Sequence, residues 1–257
     1  MGLLDDKVTI ITGAGRGIGA AAAELFAAEG ALLVLAARTG HQVEAVAAGV
    51  RARGGRAVAV AADIATGEGA DRVVRTALDT YGRLDAAFDN AGSGPLPAPL
   101  AERTEADWDA VHAVNLRGTW LCLRAQLRAM LTGGRGGAIV LCGSVGGLVG
   151  GFGDGTQQAA KHGLTGLVKA ATADYARHGI RTNAIAPGVV RTPAVEHLFT
   201  AGPAFGAAVA RFTPAGRPAT AGEIAQAAAW LLSDRSSYVT GVTLPVDGGI
   251  TATRSFS

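Results

Sequence analysis

The chain has 257 residues, of which 49% are hydrophobic and 17% charged, with 38 glycines. That length suits one large α/β domain able to bury its own core, and the composition excludes the disordered and fibrous classes. A net charge of +2, from 23 basic and 21 acidic residues, is too balanced for a nucleic-acid-binding surface.

The first seven residues lead straight into an apolar segment without the layout of a signal peptide. No apolar run reaches the roughly 18–20 residues that span a bilayer, so a soluble cytoplasmic protein is expected. Strands are predicted over 8–11, 32–35, 57–61, 86–88, 138–141, 181–186 and 243–246. Ala-rich helices are predicted between them, over 17–29, 41–53, 67–81, 105–131, 157–178 and 221–232. Continuously apolar strands alternating with helices call for a parallel sheet covered on both faces. Right-handed crossovers then give a doubly wound α/β Rossmann fold of about seven strands. No composition break marks a second domain, so residues 1–257 are expected to form one domain. The irregular stretch over 188–218, with short helices expected at 194–199 and 204–211, would be a substrate lid. Cys122 and Cys142 lack any metal-type or redox spacing and read as small buried hydrophobes. The five histidines are scattered, and no metal site is expected.

The first strand runs into Thr12-Gly13-Ala14-Gly15-Arg16-Gly17-Ile18-Gly19 and then a helix. Glycines there let the chain turn tightly and let a pyrophosphate approach amide donors at the helix N-terminus. The end of the second strand indicates the cofactor. An acid at that point would bind a ribose 2′-hydroxyl and repel a 2′-phosphate, but the residues are Ala36-Ala37-Arg38-Thr39. Arg38, with Arg16 from the glycine loop, would instead pair with a phosphate, which makes NADP(H) the expected cofactor.

The spacing of Gly13, Gly17 and Gly19 resembles the short-chain dehydrogenase/reductase family, and the resemblance extends to Asp247-Gly248-Gly249. It implies that Asp63 and Ile64 contact the adenine. It also sets Asn90, Ala91 and Gly92 beside the cofactor in a motif whose first residue has become Asp89, with Asn90 either bracing the sheet or touching the ligand. Pro187, Gly188, Val190 and Thr192 match the segment that cradles the nicotinamide. Asn115 matches the family's water-holding asparagine, Ser144 the serine that bonds the substrate oxygen, and Lys161 the lysine that binds the nicotinamide ribose.

The family's catalytic tyrosine lies four residues before that lysine and thirteen after that serine. Both counts arrive at Gln157. Tyr175 is no substitute, being fourteen residues beyond Lys161 and about 21 Å along one helix. A primary amide hydrogen-bonds but is no proton donor of useful strength. Losing general acid–base catalysis typically removes about 10²–10⁴ in rate, roughly 3–5 kcal/mol of barrier.

Three readings follow from that substitution. One is an NADPH-dependent reductase of a hydrophobic carbonyl, imine or enone with an unusual proton source. A second is an engineered Tyr-to-Gln variant of a carbonyl reductase. The third is a non-redox protein that binds NADP(H) for sensing, isomerisation or cyclisation. Asp154 is either a helix N-cap or a replacement acid, and His162 points about 100° away from the face of Lys161. The pocket wall is expected to include Ser93, Gly94, Pro95, Leu96, Val145, Leu148, Phe152, Val195, Leu198 and Phe199, which favours an apolar or alicyclic substrate. The family resemblance further implies a homotetramer of D₂ symmetry.

Overall fold

The computed structural model describes residues 2–95, 97–152 and 154–253; Leu96, named above for the pocket wall, lies outside them. In chain order the strands and helices alternate: β1 (Val8–Thr12), α1 (Gly17–Ala28), β2 (Leu32–Ala37), α2 (Gly40–Ala52), β3 (Arg56–Ala61), α3 (Gly67–Tyr81) and β4 (Ala86–Asp89). They continue through α4 (Glu105–His112), α5 (Thr119–Gly133), β5 (Gly137–Cys142), α6 (Gly155–Tyr175) and β6 (Ile180–Pro187). The rest comprises β7 (Val190–Arg191), α7 (Glu196–Thr200), α8 (Pro203–Phe212), β8 (Ala219–Thr220), α9 (Ala221–Leu232) and β9 (Thr243–Val246).

Seven strands form one sheet in the order β3-β2-β1-β4-β5-β6-β9, every neighbouring pair parallel. Successive side chains of a strand point to opposite faces, and here both faces are core. Ile11, Leu33, Leu35 and Val140 join one cluster with Phe26 of α1 and Ile224 of α9. Ile10, Val34, Ile139 and Leu141 join another with Val73 of α3, Leu123 and Leu127 of α5, and Leu164 of α6. Small residues let α1 and α9 pack directly on each other, among them Ala22, Ala23, Ala225, Ala228 and Ala229.

All seven predicted strands are present, extended by a residue or two at several ends. The short ribbon β7–β8 was not foreseen. It pairs Val190 with Ala219 and fastens the start of the 188–218 segment to its end. That segment carries both expected short helices, α7 and α8.

The helix predicted over 105–131 is interrupted. Between α4 and α5 the residues Ala113–Gly118 form a π-helical turn, which widens the backbone at Asn115. The hydroxyl of Thr119 donates to the Asn115 carbonyl at 3.0 Å, supplying a partner where the regular ladder is broken. Amphipathic period alone does not reveal one extra residue in a turn. The helix predicted to begin at 157 begins instead at Gly155, because Asp154 caps it by accepting from the Thr156 amide at 2.9 Å.

Among the described residues no helix is long and apolar enough to cross a membrane.

Candidate active site

The strand order reverses between the parallel neighbours β1 and β4, whose following connections lead toward opposite ends of the sheet. A crevice must open there at the carboxyl ends of the strands. It does, as a cleft of about 350 Å³ whose lining includes Gly13, Gly15, Arg16, Gly17, Ile18, Arg38, Asp63, Ile64, Asn90, Ala91, Gly92 and Thr192. Two larger hollows, of about 680 and 660 Å³, open elsewhere and are lined by none of the candidate site residues.

The glycine loop is shaped for close approach. Gly13 has φ of +67°, and a Cβ there would lie 2.8 Å from the Ala91 Cα. Gly19 is packing rather than lining, since its Cβ would lie 2.2 Å from the Gly13 carbonyl oxygen. Arg16 stands at the N-cap of α1 without a side-chain cap, and the first turn holds no acidic residue. Amides at that helix start therefore remain available to an anion. Arg16 and Arg38 are both exposed at the cleft, and among the described residues neither pairs with a carboxylate. These features fit the pyrophosphate of a dinucleotide.

Asn90 both lines the cleft and braces it. Its amide donates to the carbonyls of Thr12 at 3.2 Å and Gly13 at 3.3 Å, while the Ala91 amide donates to the Thr12 hydroxyl at 3.1 Å. Pro187 is buried at the end of β6, and Gly188 donates to the Val246 carbonyl at 3.1 Å, locking β6 to β9. Val190 belongs to the β7–β8 ribbon, and Thr192 is the member of that segment that reaches the cleft, 3.5 Å from where a Gly17 Cβ would stand. Gln42, Val114, Pro193 and Ala194 also line the cleft and were missed, because none belongs to a motif.

Gly92 and Ser93 of the cleft lining begin a loop that meets Asn115, Gln157 and Lys161. The Asn115 side chain clamps the loop: Oδ1 accepts from the Ser93 amide at 2.8 Å and Nδ2 donates to the Ser93 carbonyl at 2.6 Å. Positions two residues apart on this loop meet two residues one turn apart on α6. A Cβ at Gly92 would lie 3.6 Å from Lys161 Nζ, and one at Gly94 would lie 3.0 Å from Gln157 Nε2. Lys161 is buried and donates to the Cys142 carbonyl at 2.6 Å. Burial lowers its affinity for a proton. The Ser144 oxygen accepts from the Gly146 amide at 3.1 Å, which leaves its hydrogen free to point outward.

Asp154 is no replacement acid. Arg103 Nε donates to its Oδ2 at 2.5 Å, and the Thr156 amide and hydroxyl both donate to Oδ1. Burial alone would raise its pKa, but those hydrogen bonds and the Arg103 charge outweigh it and hold the carboxyl below its ordinary value. His162 is exposed and turned to the Gln158 carbonyl. All three tyrosines lie toward the amino-terminal edge of the sheet: Tyr81 beside Leu33, Tyr175 at the end of α6 before β6, and Tyr238 fully exposed before β9.

Beneath the floor, Asp89 is buried at the end of β4 and accepts from Gln126 Nε2 of α5 at 2.8 Å. Asp89 Oδ2 and Gln126 Oε1 are both left without a partner. Burial raises the Asp89 pKa to about 7 against the pull of the Gln126 bond. In the 188–218 segment, Phe212 of α8 meets Phe152 edge-on at 5.7 Å, and Phe199 meets Phe205 at 4.9 Å.

Comparison with known proteins agrees with this architecture. A sequence model of the family described as "Enoyl-(Acyl carrier protein) reductase" matches residues 13–251. The chain is 44% identical to an A-factor type gamma-butyrolactone 1'-reductase of Streptomyces virginiae, over 97% of each chain. It is 41% identical to a 2,5-dichloro-2,5-cyclohexadiene-1,4-diol dehydrogenase of Sphingobium indicum, over 97% of this chain and 98% of that one. The crystal structure of carveol dehydrogenase from Mycobacterium avium in complex with NAD superposes with a TM-score of 0.93 at 33% identity, covering 98% of this chain and all of that one. With its seven-stranded parallel sheet, its glycine loop and these relatives along nearly its whole length, the chain belongs to the short-chain dehydrogenase/reductase family of nicotinamide-dependent oxidoreductases.

Proposed function

We propose that this protein is an NADPH-dependent reductase of a hydrophobic, ring-bearing carbonyl, imine or enone, working with Gln157 where the family has its tyrosine. The observation that supports this reading is that Gly92 and Ser93, which line the cleft with Arg16 and Arg38, begin a loop that meets Lys161 at Gly92 and Gln157 at Gly94. Two exposed guanidinium groups beside Ala36 and Ala37, with no acid at that point, favour a 2′-phosphate over a bare ribose hydroxyl. The names of two relatives, a gamma-butyrolactone reductase and a cyclohexadienediol dehydrogenase, carry rings, and the apolar lid suits such a substrate.

When bound, the cofactor supplies hydride. The chain's own residues orient the acceptor: the Ser144 hydroxyl and Gln157 Nε2 both donate to the substrate oxygen, and their dipoles stabilise the charge that grows there. Lys161 would hold the nicotinamide ribose through its free N–H groups and would add a positive charge to this end of the site. Asn115 holds Ser93, and through it the loop against which both α6 side chains rest. Four copies assemble as a D₂ tetramer through the helices carrying Asn115 and Lys161, with the β9 edge forming a second contact.

The test is loss of NADPH absorbance against a panel of cyclic ketones, imines and enones. Turnover of a cyclic substrate with NADPH preferred over NADH is expected; NADPH binding without any turnover would establish a non-redox role instead. Gln157→Tyr should raise turnover of a simple ketone by about 100-fold. If that variant is inactive on the best substrate, the amide is itself required by the chemistry.

A further inference from the structure

Reduction of a carbonyl needs a proton as well as a hydride, and at Gln157 the usual source is missing. The remaining acids near the cleft can be taken in turn. Asp154 is held ionised by Arg103 and Thr156. Asp63 is exposed beside the glycine loop, where it accepts from the Ala65 amide at 3.0 Å, at the adenine end. Asp89 lies under the floor against Gln126. The tyrosines are at the opposite edge of the sheet, and Cys142 is buried beneath Lys161. Of the N–H and O–H groups beside Gln157, the Ser144 hydroxyl and the Gln157 amide are far too weak as acids to release a proton, which leaves the ammonium of Lys161; His197 of α7 is exposed on the 188–218 segment.

Resting on the reading of the protein as a reductase, we propose that Lys161 is itself the proton donor, with Gln157 holding the substrate oxygen in reach of it. Three arrangements carry this. Lys161 Nζ commits one N–H, to the Cys142 carbonyl, and an ammonium has three. Nζ and Gln157 Nε2 rest against Gly92 and Gly94 of the same loop, so one acceptor can lie between the two head groups. Among the described residues no carboxylate pairs with Lys161: from β5 it meets the Cys142 carbonyl, Asn115 Oδ1 stands beside the same Gly92, Gln157 lies one turn earlier on α6, and His162 is exposed. Without an anion to hold it, and with burial opposing its charge, the ammonium gives up its proton more readily than an exposed lysine.

The step balances. The carbonyl carbon gains hydride, the π pair moves onto oxygen, and that oxygen takes a proton as an N–H bond of Lys161 breaks. Lys161 is left as a neutral amine and regains its proton from solvent after product leaves. A tyrosine makes the lysine an electrostatic helper; an amide in its place makes the lysine the acid.

The chain has three lysines, at 7, 161 and 169, so their side-chain signals can be resolved. Protein labelled with ¹³C at lysine Cε is titrated by NMR as its NADPH complex, the signals being assigned with Lys7→Arg and Lys169→Arg. The Lys161 signal should titrate clearly below the ordinary lysine range, because burial opposes its charge. The alkaline limb of kcat/KM for reduction should fall at the same pH, within about half a unit. Lys161→Arg keeps the charge but cannot release a proton, and should lose about 10²–10⁴ in kcat while its NADPH Kd, read by fluorescence, moves less than about tenfold.

An ordinary Lys161 titration, a limb that does not follow it, or an arginine variant within tenfold of the parent overturns the proposal while the reductase reading stands. If that variant does not fold, the titration and the pH profile of the unaltered protein decide the matter. No turnover on any substrate, with NADPH bound, overturns the reductase reading and this proposal with it.

Discussion

Asp89 shows how one residue links burial, protonation and stability. Its Oδ1 takes a hydrogen bond from Gln126, while its Oδ2 and the Gln126 oxygen are buried acceptors with nothing to accept. A proton on Oδ2 would serve both, and burial, which disfavours the charged carboxylate, raises its pKa to about 7. The unfolded chain releases that proton near pH 4. Between pH 4 and 7 the folded state therefore binds the extra proton, and stability falls as pH rises, levelling off above 7. The penalty is about 4 kcal/mol at most, from roughly three units at 1.36 kcal/mol each. Asp89→Asn supplies an N–H permanently, so its melting temperature should exceed the parent's by several degrees at pH 8, the gap closing toward pH 4. A gap independent of pH in thermal melts would contradict this account. At the cofactor end, Arg38→Asp should weaken NADPH binding by about 10–100-fold and leave NADH binding equal or tighter, as measured by fluorescence titration.

Among the elements, α6 illustrates how a site is placed by a helix start. Gln157 and Lys161 share a face because they are four residues apart, and that was legible in the sequence. Where the helix begins was not, since Gly155 opens it and glycine is a poor helix former. Asp154 decides it by capping the first turn and pairing with Arg103, 51 residues away in sequence. Asp154→Ala should cost about 2–3 kcal/mol in denaturant unfolding, through the lost cap and a buried ion partner, and Asp154→Asn clearly less because it keeps the cap. The π-helical turn is the other case. Its cause is a tertiary bond, the clamp of Asn115 on the Ser93 backbone, and heptad-scale periodicity carries no trace of it.

For the molecule as a whole, the outer face of α4 and α5 bears Trp108 at 44% and Trp120 at 42% exposure, the second under the guanidinium of Arg124. Two half-exposed indoles on adjacent helices are the kind of surface a second copy covers. Light scattering should give about 103 kDa for four chains of 25.7 kDa, and Trp120→Glu should shift the mass to a smaller species. A monomer at micromolar concentration would overturn the assembly proposed above.

The sequence by itself determined the sheet, the helices that cover it and the position of the glycine loop. Each rests on local chemistry: β-branched and leucine runs, alanine-rich amphipathic stretches, and glycines between a strand and a helix. It also disclosed Gln157 by counting from Ser144 and Lys161. Only the tertiary structure decided what surrounds that amide. It committed Asp154 to Arg103, spent both ends of the Asn115 side chain on Ser93, and carried every tyrosine to the far edge of the sheet. Those are contacts between residues far apart along the chain, and which acid stands near a substrate oxygen depends on such contacts rather than on any local run of residues.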